Sequence, residues 1–142
     1  MKNYKELMDQ LPPKERTRPN NGGYYIPIEN IERILDEIYD RMWSSEWVEA
    51  PRFIAPNVMS CALNVIVLEG ENWRPMAGTA SIIIGLNSLG HPVPEEVVHA
   101  DKIIKSLAIT NAAREYGGAL GRYLNRDKER DESQHKVTVV NS

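Results

Sequence analysis

Apolar and small polar residues take turns through "MSCALNVIV". Met59, Cys61, Leu63, Val65 and Val67 fall on one side of the alternation, and Ser60, Ala62 and Asn64 on the other. A period of two marks a half-buried β-strand, because successive side chains point to opposite faces. The pattern predicts a strand over 57–70, with "EGEN" as the turn that follows it. "WRPMAGTASIII", residues 73–84, predicts the next strand, with Gly78 as a bulge or a point of close backbone approach. "EWVEAPRFI", residues 46–54, predicts the strand before, broken by Pro51. Together these make a three-stranded antiparallel meander over 46–84.

On either side of the meander the period becomes helical. In "YYIPIENIERILDEIYDRMW", residues 24–43, Ile28, Ile31, Ile34 or Leu35, Ile38 and Met42 recur at helical spacing. Pro27 suits a helix start, and Glu37 with Arg41 is a favourable i,i+4 pair. A long helix is predicted over 95–124, with Pro94, Glu95 and Glu96 suited to its first turn. Its apolar stripe of Ala100, Ile103, Ile104, Leu107 and Ala108 rotates after Ile109, through Ala112, Tyr116, Ala119, Leu120 and Tyr123. Residues 85–96, "GLNSLGHPVPEE", carry glycines and prolines instead of a period and read as a loop. Near the start, "YKELMDQL" predicts a short helix, and "PPKERTRPNNGG" predicts no regular structure. That basic stretch is either a solvated arm or a strap along a ligand or a neighbouring subunit. Residues 126–142 open with balanced charges and end in the β-prone "VTVVNS". The expected organisation is an arm over 1–23, a core domain over 24–125 and a charged tail over 126–142.

Within the long helix, "AREYGGALGRYLNRD" poses a question. Gly117 and Gly118 each cost about 1 kcal/mol in a helix interior relative to alanine, so something must offset them. One account is close packing of small residues against the sheet or a neighbouring subunit, with Arg114, Arg122 and Arg126 flanking the seam. The other is a break, with Gly117 or Gly118 ending the helix. Close packing is the account adopted, in a helix that continues to 124. A phosphate-cradling loop of the Walker type would need a Gly-Lys-Ser/Thr ending that is absent.

Composition narrows the class. With 142 residues, 42% apolar and 26% charged, the chain suits one globular domain that buries roughly 70% of its unfolded surface. A net charge of -3 carries no global sign of nucleic-acid binding, but a basic groove depends on where charges sit. The lone Cys61 permits no disulfide within the chain and fits a reducing compartment. Residues 1–20 hold no signal-peptide hydrophobic region, and Val65–Leu68 is far too short to cross a bilayer. A soluble cytoplasmic protein is expected, with no membrane partner. His91, His99 and His135 lack metal-ligand spacing, Cys61 sits mid-strand, and there is no Gly-x-Ser-x-Gly elbow. No enzymatic role, metal or cofactor is expected.

Three segments in order resemble a known family. "LPPKERTRPNNGGYYIPIENIERILDEIYDRMWSSEW" combines Arg-Pro and Gly-Gly, a Tyr, an apolar helix and an aromatic pair ending in Trp47. "ALNVIVLEGENWRPMAGTASIII" is a strand pair, and "ADKIIKSLAITNAAREYGGALGRYLN" a long basic helix ending in aromatic-Gly-x-Ala-Leu-Gly. Over residues 11–125 the chain resembles the single-strand DNA annealing proteins of the Rad-fifty-two-like superfamily, found in eukaryotes and many phages. Two positions often basic in that family are Thr110 and Asn111 here. The resemblance implies an α+β fold, with a β-β-β-α core assembled into homo-oligomeric rings or filaments. It implies a groove that holds single-stranded DNA by its backbone, with bases free to pair and no nucleotide hydrolysis. The setting it implies is phage or prophage recombination and repair in a bacterial host cell.

Such a role needs Lys and Arg on phosphates and salt-sensitive binding. The leading candidates are Lys102, Lys105 and Arg114 on the long helix, where Lys102 and Lys105 fall opposite the apolar stripe. Arg52 and Arg74 on the meander come next, followed by Arg33, Arg18 and Arg16. Among aromatics that could stack on bases, Trp47 and Tyr116 are expected to pack in the core, while Tyr24, Tyr25 and Trp73 stay open. The tail from Arg126 could dock a single-strand DNA-binding protein. The alternative is a self-assembling α+β scaffold or adaptor with a protein partner, whose basic residues only solubilise it.

Overall fold

The structure, a computed structural model, describes residues 2–122. The expected positions Tyr123, Arg126 and the tail over 126–142 lie outside the described residues. The fold is α+β, and the chain divides into two compact units: Trp43–Ala112, and residues 1–42 together with the chain from Ala113.

The unit Trp43–Ala112 holds the meander, in the order β3 (Trp43–Ala55), β4 (Val58–Glu69) and β5 (Asn72–Ile83). On β4 the alternation reads as predicted: Met59, Cys61, Leu63, Val65 and Val67 are buried, and the residues between them only half-buried. β4 and β5 pair without interruption from Val58↔Ile83 to Glu69↔Asn72. β3 starts at Trp43 instead of residue 46, and Pro51 does not break it. An edge strand tolerates proline because one side of its ladder is unused. The irregularity appears instead as register shifts between Trp47 and Glu49, Glu49 and Arg52, and Phe53 and Ala55.

Helix α3 (Pro94–Tyr116) packs on one face of this sheet. Gly78 is the point of close approach: a Cβ there would collide with the Ala108 carbonyl oxygen and sit 2.6 Å from the Ala112 Cβ. The helix therefore turns its small residues to the sheet. Ala100, Ile104, Ala108 and Ala112 are buried, whereas Leu107, expected in the stripe, is 40% exposed. The Asn111 amide also donates to the Thr79 carbonyl on β5, at 2.7 Å. In the loop before α3, Glu96 reaches back to accept from the Gly85 amide at 3.1 Å.

The other unit is built from short pieces. α1 (Tyr4–Asp9) is capped by the Asn3 side chain, which accepts from the Glu6 amide at 3.1 Å. The arm expected to lack regular structure contains a 3-10 turn, Lys14–Arg16, and a two-stranded hairpin, β1 (Arg18–Asn20) with β2 (Gly23–Tyr25). Its turn is Asn21-Gly22 with φ of 48° and 80°, the left-handed pair that two-residue hairpins favour. The helix predicted over 24–43 is accordingly shorter: α2 spans Ile28–Tyr39 and follows Pro27. Ile31, Ile34, Leu35, Ile38 and Tyr39 are buried, and Met42, expected on the stripe, is exposed beyond the helix end.

The long helix does not reach 124; it ends at Tyr116. Gly117 is extended, a 3-10 turn covers Gly118–Leu120, and Gly121 follows in the left-handed region at φ 98°. Gly117 also sits against α1, where a Cβ would lie 2.6 Å from Met8 Cε and 2.7 Å from the Met8 carbonyl oxygen. The helix breaks at the glycines, and one of them is needed for close packing against α1 rather than against the sheet.

A candidate nucleic-acid interface

The sequence-predicted cations divide into those held by neighbours and those left open. On the meander, Arg74 is half-buried and held by Glu69, with contacts of 2.9 and 3.2 Å. Arg52 is exposed and 3.6 Å from Glu49. Arg18, on β1, is committed to its own arm, donating to the carbonyls of Glu15 at 3.0 Å and Thr17 at 2.8 Å. Arg16 is half-buried and ion-paired with Glu37 of α2. Lys102, Lys105, Arg114 and Arg33 are exposed and form no ion pair among the described residues.

Lys102, Lys105 and Arg114 do not form one row. At 3.6 residues per turn, Lys102 and Lys105 lie within about 60° on α3, whereas Arg114 is about 120° from Lys102 and about 180° from Lys105. Arg114 also belongs to the unit that begins again at Ala113, where its Cγ lies beside Gly121.

What the structure does bring together is Arg16 and Arg33, with a third guanidinium, Arg41. With Asp36 and Glu37 they line an open depression of about 440 Å³. The local fold explains each position. Asn30, buried on α2, donates to the Arg16 carbonyl at 3.1 Å and ties the 3-10 turn to the helix. Arg33 lies on the wet face of α2. Arg41 comes just past the helix end, where Asp40 and Arg41 adopt φ of 53° and 67°. Two successive non-glycine residues in that region are strained. The turn is held by Lys2, whose Nζ donates to the Ile38 carbonyl at 2.9 Å and to both Asp40 carboxylate oxygens at 3.1 Å. A cation there also complements the negative end of the helix dipole.

The same turn removes the expected Glu37–Arg41 helical pair. Arg41 is no longer helical, and Glu37 binds Arg16 instead. Sequence reasoning missed Arg41 as a site residue because its place depends on where α2 stops.

The aromatics are distributed differently from expectation. Trp47, assigned to the core, is 40% exposed, and with Val48, Phe53 and Ile54 it leaves apolar surface along the edge strand β3. Tyr116 is half-buried and Trp73 is 54% exposed. Cys61 is buried, and burial pushes its thiol above the usual value, although a backbone hydrogen bond at Ala80 works the other way. A thiol held neutral in a strand is a packing group and a poor nucleophile. No helix among the described residues is long and apolar enough to cross a membrane. No protein-family model, curated protein or solved structure matches the chain.

Proposed function

We propose that this chain is a single-strand DNA annealing protein. It binds unpaired DNA through the phosphates, self-associates into a ring or filament, and promotes pairing of complementary strands without nucleotide hydrolysis. Phage or prophage recombination in the cytoplasm of a bacterial host is the setting. The observation that carries this reading is the order of elements: an amphipathic helix, a three-stranded antiparallel meander, and a long helix packed on one face of that sheet. The resemblance implies that arrangement. Arg33, exposed and without an ion pair among the described residues, is the kind of cation phosphate binding requires.

The test is a titration of a labelled single-stranded oligonucleotide across a salt series, with annealing of complementary strands followed in parallel. Binding that weakens steeply with salt, together with faster annealing, is expected. Absence of binding at low salt overturns the reading. A second reading, a self-assembling scaffold with a protein partner, is favoured by the exposed Trp47, Val48, Phe53 and Ile54 on β3. Self-association that proceeds fully while no oligonucleotide is bound would select it.

A further inference from the structure

We propose that the depression lined by Arg16, Arg33 and Arg41 is the phosphate-binding site, the place where a phosphodiester of the single strand is held. This rests on the reading of the chain as a single-strand binder and moves its main contact from the long helix to the end of α2.

Three observations converge on it. Guanidinium groups from separate stretches of chain share one cavity here: the 3-10 turn, the face of α2 and the turn after it. The lining carries one net positive charge, since Asp36 and Glu37 offset two of the three arginines. That matches the single charge of a phosphodiester. The donors are also incompletely used. Arg33 and Arg41 form no ion pair, and the Arg16 Nε is buried without a hydrogen-bond acceptor among the described residues. Planar guanidinium forks suit tetrahedral phosphate oxygens, so an anion of this class satisfies what the protein leaves open. The Asp40–Arg41 turn, braced by Lys2, places Arg41 in the lining although Arg41 is no longer helical.

The depression is set apart from the other basic positions by this convergence. Lys102 and Lys105 share a face of α3, on a different stretch of the chain from the depression. They become the control. The wild-type chain, Arg33→Gln/Arg41→Asn and Lys102→Ala/Lys105→Ala are titrated with a fluorescein-labelled oligothymidylate across a salt series. Asparagine is chosen at 41 because it tolerates the left-handed region. Both arginines are exposed, so melting temperatures should match wild type. An Arg33→Lys/Arg41→Lys variant, which keeps charge and loses the fork, guards against a change in folding.

The expected result is a loss of affinity of at least about tenfold in the Gln/Asn variant, with a log–log salt slope shallower by about 1.4 for two lost single-strand contacts. The lysine pair on α3 changes affinity by less than about threefold, and the Arg→Lys variant falls between wild type and the Gln/Asn variant. If wild type binds and the Gln/Asn variant binds equally with the same slope, the site is wrong and the annealing reading stands. If wild type binds no oligonucleotide, both fall. Full displacement of the oligonucleotide by polyglutamate at equal charge also overturns the site, because carboxylates then fill it as well as phosphates.

Discussion

Val65 and Leu35 are both fully buried, yet different kinds of signal put them there. Val65 belongs to a strand whose burial repeats every second residue and whose pairing with β5 runs without a slip. A one-residue shift would turn every core side chain of β4 outward, so many positions enforce the same register. Leu35 sits on α2 in a unit of short elements, where particular contacts add to the apolar packing. Tyr4 stacks on Tyr39 with ring centroids 5.3 Å apart, Asn30 holds the Arg16 carbonyl, Gly117 abuts Met8, and Lys2 closes the α2 terminus. Repetition specifies the sheet unit redundantly; the other unit depends on particular residues being in particular places.

The largest losses of stability are expected in the two cores. Leu63→Ala in the sheet unit and Leu35→Ala in the other, both nearly inaccessible, should each cost about 2–5 kcal/mol in urea denaturation. A cost well below 2 kcal/mol at either would remove that residue from the core described here.

Glycine substitutions come next and separate two mechanisms. Gly78→Ala meets a backbone carbonyl that cannot swing away and should cost about 3 kcal/mol. Gly90→Ala meets no atom within 4 Å and pays only for its φ of 77°, about 1 kcal/mol. Equal costs, measured side by side, would contradict the close approach of α3 to β5.

Single polar contacts follow. Lys2→Ala removes a bond to the Ile38 carbonyl and an ion pair with Asp40, and should lower stability by about 1 kcal/mol. Arg52→Ala, by contrast, removes a pair whose side chains are 62% and 58% exposed, so thermal melting should register less than about 0.5 kcal/mol. If the two variants are alike, the claim that this unit leans on individual contacts weakens.

Cys61 supplies the mildest test and belongs to the sheet unit alone. Its folded thiol lies above the ordinary value of 9.0 because burial disfavours the thiolate. The unfolded chain therefore loses this proton first. The contribution is fully present below pH 9.0 and is lost as pH rises through the folded value. Stability by denaturation should decline across that window in wild type and less so in Cys61→Ala. Thiol-reagent labelling of the native protein should be slow and accelerate with denaturant; fast labelling under native conditions would place Cys61 outside the core.

The legibility of the chain follows the same division. The meander, Gly78 as a contact point and Pro94 at the start of α3 could be read because each is a local property: a period, a missing side chain, a missing N–H. The ends of α2 and α3 could not. Apolar spacing continued past Tyr39 to Met42 and past Tyr116 to Tyr123, so the pattern argued for longer helices. Trp47 was misplaced because an aromatic in a strand says nothing about whether a helix covers that strand.

By itself the sequence determined the class of fold, the strand order and the face of β4 that is buried, since alternation and turn chemistry act between residues close along the chain. Only the tertiary structure decided that α3 ends at Tyr116, before the glycine-rich turn, and that Arg16, Arg33 and Arg41 gather in one depression. The physical reason is distance along the chain. Arg16 and Glu37 meet across 21 positions, and no period or motif encodes such a pairing; it exists once the hairpin, the helix and its strained last turn have each taken their place.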